Sequence, residues 1–283
     1  MDVLDTINRR ISVRAFEPTC LSSDQLDHVR IAAENAPSLT SAELRVLVFA
    51  DGSVVKNAMG GVMGDYGKVI VAPHFIVLAA KHCRGYLVDA GYRFEHLVLF
   101  ATSQGLGTCW IGGMFRSQKM HEQLGISNEW EILALTPVGR PATVGAKGWL
   151  DRTTRQLLKS ANRMPIDELV SWNQGEALPD VLRQNNSLMR WLDAIRRAPS
   201  WANKQPWRMS LDRTGLTIFK HGSQVKEGKD YHVLDCGIAM AHASLAGEAL
   251  GLTGTWTLMD CEGGSSSPCS IARYAFSVPI EGA

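Results

Sequence analysis

The sequence predicts an α+β protein made of two sheet-and-helix halves fused in one chain. Three observations carry this reading: strand-like and helical runs recur twice in the same order, two pairs of segments resemble each other, and two long helices are apolar nearly all round. In the first pair, Ile31–Ser38 aligns with Ala194–Ser200 through Ala36-Pro37-Ser38 and Ala198-Pro199-Ser200, at an offset of 162. In the second, Asp89–Trp110 lies over Asp235–Trp256 at an offset of 146, matching Asp89/Asp235, Gly91/Gly237, His96/His242, Leu99/Leu245, Gly105/Gly251, Leu106/Leu252 and Trp110/Trp256. The difference between 162 and 146 leaves the first copy 16 residues longer between Pro37 and Asp89. That insertion is expected as a loop around Asn57 to Lys68.

Taken in order, Val3, Leu4, Ile7 and Ile11 recur at helical spacing, with Asp2 and Asp5 early and Arg9-Arg10 late, as the helix dipole favours. Ser23 is expected to cap a helix running to about Asn35, which Pro37 ends. Arg45–Ala50 and Phe75–Ala79 are rich in Val, Leu and Ile and read as strands. Between them the insertion offers little periodicity. Residues 90–104 form an apolar helix stopped by Gly105, and Glu131–Val138 is a strand closed by Gly139-Arg140-Pro141. The second copy repeats this order with a helix to Arg197, strands at Trp207–Leu211 and Leu216–Lys220, a helix over 237–250, and a last strand over 272–278. The expected division is therefore 1–150 for the first half, 151–180 for a crossover connector and 181–283 for a shorter second half.

Composition narrows the function. The 283 residues carry 29 Lys plus Arg against 28 Asp plus Glu, a net charge of +1 that provides no broad footprint for nucleic acid or anionic lipid. Val69–Ala80, the longest apolar stretch, is broken by Pro73-His74 and too short for a bilayer, so no transmembrane helix and no membrane partner are expected. The first ten residues lack the apolar run of a signal peptide. Cys20, Cys83, Cys109, Cys236, Cys261 and Cys269 show no metal-ligand spacing and read as reduced thiols, which argues for the cytoplasm and against a metal site.

Three segments carry candidate chemistry. Arg10, Ser12 and Arg14 alternate, so on extended chain two guanidinium groups and a hydroxyl share one face, a set suited to phosphate. Pro199-Ser200-Trp201-Ala202-Asn203-Lys204-Gln205-Pro206-Trp207 presents two amides, each donor and acceptor, equipment for the edge of a flat heterocycle. Gly105-Leu106-Gly107-Thr108-Cys109-Trp110-Ile111-Gly112-Gly113 lets backbone N–H groups approach a ligand closely. Solvated arginines, a proline-fixed turn and a bare glycine turn are the plainer alternatives for each. No nucleophile–base order or carboxylate pair emerges, so any catalysis is expected to rest on a bound organic cofactor. His96 and His242 hold equivalent places on the apolar helices and read as satisfied core residues.

Together these segments, with Thr136-Pro137-Val138-Gly139-Arg140-Pro141, Arg163-Met164-Pro165-Ile166-Asp167-Glu168 and Leu234-Asp235-Cys236-Gly237-Ile238-Ala239-Met240-Ala241-His242, resemble the FMN-dependent nitroreductase family over nearly the whole chain. The resemblance is to the branch in which two half-domains are fused. It implies a nitroreductase-like fold with mostly antiparallel sheets, and a pseudo-dimer within one monomeric chain. It further implies that Arg10, Ser12, Arg14 and Arg163 face the FMN phosphate; of the basic residues that follow the last strand in family members only Arg163 matches here, which leaves Lys159 and Arg152 as candidates for a second contact. Trp110, Ile111, Gly112 and Gly113 would lie against the isoalloxazine, with a backbone N–H near N5. Pro199, Ser200, Asn203 and Gln205 would close the site, with Trp110 and Trp201 as apolar wall. The activity implied is electron transfer from NADH or NADPH through flavin N5 to a small organic acceptor such as a nitroaromatic or quinone. A flavin- or small-ligand-binding protein without turnover is the alternative.

One inference belongs to this sequence itself. The first copy has Pro37-Ser38-Leu39-Thr40-Ser41-Ala42-Glu43, without Asn and Gln, and the second has no Arg-x-Ser-x-Arg before its helix. The chain holds one full complement of motifs, and one FMN per chain is expected.

Overall fold

The computed structural model describes residues 2–59, 70–113, 115, 117–142, 162–259 and 269–280. The chain divides into two compact units, the first made of Arg9–Tyr86 and His96–Ala161, the second of Met1–Asn8, Leu87–Glu95 and Asn162–Ala283.

Helix α1 (Val3–Arg9) opens the chain. In the first unit, α2 (Ser23–Glu34) is capped by Ser22 rather than by the expected Ser23. Gln25 explains the shift: its backbone N–H donates to Ser22 Oγ at 3.2 Å while its side-chain oxygen accepts the Ser22 N–H at 3.1 Å, a reciprocal capping box. Strand β1 (Leu44–Phe49), helix α3 (Gly52–Met59) and β2 (His74–Ala80) follow, then α4 (Tyr86–Ser103), β3 (Gly107–Thr108), β4 (Ile111–Gly112), α5 (Ser117–Leu124) and β5 (Glu131–Gly139). The sheet runs β1-β2-β5-β3, with β4 also on β5, and these pairings are antiparallel. Val55, Met59, Phe75, Val77, Met120, Ile132 and Leu135 form its core. Helix α3 occupies part of the stretch expected as a featureless loop. Eight residues are too few for periodicity to stand out, yet Val55, Ala58 and Met59 on one side are buried. Residues 60–69, the rest of that loop, lie outside the described residues.

The second unit adds α6 (Ile166–Leu169), β6 (Val170–Trp172), α7 (Asp180–Arg183), α8 (Asn186–Arg196), a 3₁₀ turn (Trp201–Asn203), β7 (Trp207–Asp212), β8 (Gly215–Lys220), the short pair β9 (Val225–Lys226) and β10 (Lys229–Asp230), α9 (Tyr231–Leu250), β11 (Gly254–Leu258) and β12 (Cys269–Phe276). Its sheet runs β11-β12-β8-β7-β6, antiparallel except for β6 beside β7. Matched in chain order, β1, β2, β3 and β5 correspond to β7, β8, β11 and β12, and the two sheets then share one strand order. Both are mostly antiparallel and flanked by helices, the α+β architecture expected.

The units are discontinuous, unlike the contiguous 1–150 and 181–283 halves suggested by the repeat. Residues 87–95 of α4 group with the second unit because they touch α9 backbone to backbone. A Cβ on Gly91 would lie 2.1 Å from the Leu234 carbonyl oxygen, and one on Gly237 2.0 Å from that of Val88. The expected connector, 151–180, is described only from Asn162, and β6 within it joins the second sheet.

Helix α9 begins six residues before the expected start because Asp230 caps it, accepting the His232 N–H at 3.1 Å. By length and composition alone α9 is long and apolar enough to cross a membrane, but most of it is buried inside the protein, as expected of a helix apolar nearly all round. A correction concerns the cysteines. Cys20, Cys83, Cys109 and Cys236 are free thiols, whereas Cys269 is disulfide-bonded and Cys261 lies outside the described residues.

Candidate functional site

In the first unit the Arg10–Arg14 segment is laid along the sheet by backbone pairing. Ser12 bridges Thr108 in parallel, and the Val13 N–H donates to the Thr108 carbonyl at 2.8 Å. The segment continues past the end of β5, where Glu17 N–H donates to Arg140 O and Ala142 N–H to Ala15 O, both at 2.9 Å. Val13 is buried in the core, so its neighbours at even positions fall on the opposite face. Gly107 makes this approach possible: a Cβ there would sit 2.9 Å from Val13 Cβ. Arg10 is buried, Ser12 and Arg14 are half-buried, and Arg14 Nη1 donates to the Ser12 carbonyl at 3.3 Å.

The glycine-rich turn belongs to the same sheet. Ile111 and Gly112 pair with Leu135 and Ala134 of β5, next to β3, and Gly113 follows in the left-handed region at φ 63°. Ile111 and Gly113 are buried, Trp110 and Gly112 half-buried. The turn is pinned by Thr136, named in the sequence only as part of a family segment and given no role there: its Oγ1 accepts the Cys109 N–H at 2.9 Å and donates to the Pro137 carbonyl at 3.0 Å. A threonine in a strand carries no spacing signal, so only the fold identifies it. The first unit therefore gathers Arg10, Ser12, Arg14 and Trp110–Gly113 on neighbouring strands.

The remaining expected residues lie in the second unit, around the turn after α8. Ser200 Oγ accepts the Gln205 N–H at 2.8 Å, closing the turn. Arg163 Nη1 donates to Asn203 Oδ1 at 2.7 Å and Nη2 to the Arg197 carbonyl at 3.1 Å. Asn203 Nδ2 donates to the Asn162 carbonyl at 2.7 Å, and Gln205 Oε1 accepts the Met164 N–H at 2.9 Å. Both amides are thus turned toward Asn162–Met164, and Arg163 braces Asn203. Pro199 lies at the start of this turn and Trp201 inside it, half-buried, with its ring 6.2 Å from that of Tyr231. Arg152 and Lys159 fall outside the described residues.

Two acids support the turn. Asp193 takes hydrogen bonds from Arg197 Nε at 2.7 Å and Arg196 Nε at 2.9 Å; burial raises its pKa, but these bonds outweigh burial and hold it below the usual carboxylate value. Asp235, almost fully buried on α9, accepts the Trp201 N–H at 3.1 Å, and burial pushes its pKa well above the usual carboxylate value. His242 is a satisfied core residue. Its Nδ1 faces the Ala194 carbonyl at 2.8 Å, so that nitrogen donates, and Nε2 meets Glu95 Oε1 at 2.9 Å, all with no exposure. Its sequence counterpart His96 is half-buried on α4. A half-open cleft of about 300 Å³, lined by Leu4, Ile7, Asn8, Met189 and Arg190, contains none of the expected residues.

Two mostly antiparallel α+β units, one carrying an arginine–serine segment beside a glycine-rich turn, define a protein of the nitroreductase class by fold. The family described as "Putative TM nitroreductase" matches residues 2–247, and the chain belongs to that family of oxidoreductases. A putative nitroreductase from Thermotoga maritima has a similar structure, with a TM-score of 0.60 and 20% identity over 98% of this chain and 94% of that one. A nitroreductase family protein from Clostridium novyi NT is 30% identical over 50% of this chain and 88% of its own, with a TM-score of 0.45. An FMN-dependent nitroreductase from Clostridium difficile R20291 is 21% identical over 50% and 88%, with a TM-score of 0.44. No curated protein matches the chain.

Proposed function

We propose that this oxidoreductase is FMN-dependent and moves electrons from NADH or NADPH to a small organic acceptor such as a nitroaromatic or quinone. The observation that carries this is the Arg10–Arg14 segment, paired to β3 in the same sheet as the Trp110–Gly113 turn, in a chain of the nitroreductase family. The donor set fits the cofactor by its chemistry: two guanidinium groups and a hydroxyl suit a phosphate dianion, and glycine backbone suits close approach to a planar ring.

When bound, FMN supplies a ring that accepts and returns a hydride at N5. The chain's own part is binding and orientation. Arg10, Ser12 and Arg14 would neutralise and fix the phosphate. Gly112 and Gly113 would offer backbone N–H donors to the ring, a contribution that requires no titrating side chain. Trp110 would supply apolar surface beside the glycine turn, and in the second unit Trp201 with Pro199, Ser200, Asn203 and Gln205 would offer an apolar face and amides of their own to a planar ring. Arg163 sets the orientation of the Asn203 amide. The neutral overall charge supports a local grip on one phosphate rather than a broad anion-binding face.

The test is the absorption spectrum of the purified protein without air. Flavin bands that bleach on adding NADH or NADPH and return with a quinone or nitroaromatic are expected. Bands that no nicotinamide bleaches would mark a flavin binder without turnover. In the same assay Arg10→Ala with Arg14→Ala is expected to weaken FMN binding at least about a hundredfold, since charge-assisted hydrogen bonds contribute roughly 1.5–3 kcal/mol each and about 1.4 kcal/mol is tenfold. Unchanged affinity would remove these arginines from the site.

A further inference from the structure

The Ser200–Gln205 turn has an unusual backbone. Ala202, Asn203 and Gln205 adopt φ of 49°, 55° and 48°, the left-handed region, although none is glycine. Each such residue is strained, so three within four positions persist only if surrounding contacts over-determine the turn. The contacts differ along it. Its middle and C-terminal end are held by Arg163, Asn162 and Met164, and by the Gln205-to-Ser200 closure. Its N-terminal end is held from α9. Tyr231 and Asp235, four residues apart and so on one face of that helix, both meet Trp201, one through the ring and the other through the backbone N–H.

A carboxyl group only 3% exposed is costly to keep, and an apolar residue at that point of α9 would avoid the cost. Asp235 therefore needs a compensating contact, and the Trp201 N–H provides it. We propose that Asp235 is a positioning residue, which holds the strained turn, with its Asn203 and Gln205 amides, in a single conformation suited to a planar ring. This rests on the FMN reading above for the identity of the ring, but the hold on the turn is a property of the chain without ligand. Asp235 touches no ligand in this scheme and acts through the backbone of Trp201.

The experiment compares Asp235→Asn, which keeps a side-chain oxygen to accept the Trp201 N–H, with Asp235→Ala, which removes it, in the full chain. Amide hydrogen exchange of the FMN-free protein is read over peptides covering 199–206, with peptides over β7 and β8 as internal reference. FMN affinity is read by flavin fluorescence. Asp235→Ala is expected to speed exchange in the turn at least tenfold while the reference peptides stay protected, and to weaken FMN at least tenfold. Asp235→Asn should stay within twofold of wild type in both. Equal loss in the two variants, or turn exchange unaffected by Asp235→Ala, overturns the proposal. Should Asp235→Ala fail to yield folded protein, Asp235→Asn decides alone, a tenfold change in either readout being the overturning result. A wild-type chain that takes up no FMN would sink the cofactor reading, while the exchange comparison would still decide whether Asp235 holds the turn.

Discussion

His74 is fixed as a neutral ring by its partners. Nε2 accepts the Leu21 backbone N–H at 2.8 Å, so it carries no proton, and Nδ1 lies 2.6 Å from the Ala50 carbonyl, to which it donates. Burial lowers its pKa below the ordinary 6.5, against a smaller opposing effect from the Ala50 carbonyl. Protonation would aim a donor at the Leu21 N–H. The sign follows: a depressed folded-state pKa contributes stability above 6.5 that is lost as pH falls through the lower folded value. Melting temperatures from pH 8 to pH 5 should therefore drop in the acid range for wild type and drop less for His74→Gln, which can both accept and donate. Parallel curves would show that His74 is not the titrating group. Nothing in the sequence marked His74, whereas the satisfied-core reading of His242 was available from its apolar helix. What the helix could not reveal was the partner: Glu95 is 147 positions away.

Among the elements, the crossing of α4 with α9 is the most demanding contact. Gly91 and Gly237 are equivalent in the sequence repeat, and each is the point where the other helix's carbonyl comes within about 2 Å of where a Cβ would be. Neither helix can relax without moving backbone. Gly91→Ala and Gly237→Ala are each expected to cost about 3 kcal/mol, on the order of 10 °C in Tm by thermal melting. A loss under about 1 kcal/mol in both would mean that the helices slide apart cheaply. Strands β1, β2, β5, β7 and β8 were readable because runs of β-branched and large apolar residues are bounded by turn residues. β3 and β4 have two residues each, and α3 and α5 eight, too little for a period to register. The cap of α2 was misread by one position because Ser22 and Ser23 are chemically alike; only Gln25 at the N3 position relative to Ser22 separates them.

For the molecule as a whole, the two repeat-related halves of the sequence carry complementary motifs, since only the first holds Arg-x-Ser-x-Arg and only the second holds the Asn and Gln of the turn. FMN titration of the ligand-free chain is accordingly expected to saturate at one equivalent per polypeptide. Saturation at two would assign a working site to each copy and break that argument. The sequence alone determined the repeat, the α+β alternation and the family resemblance, because these depend on residue identity at short spacing. The tertiary structure alone decided that residues 87–95 belong with the second unit, that Glu95 meets His242, that Thr136 pins the glycine turn and that Asp235 reaches Trp201. Each of those is a contact between positions far apart in the chain. Local propensity and spacing carry no record of such a contact until packing brings the two groups together and burial makes their pairing obligatory.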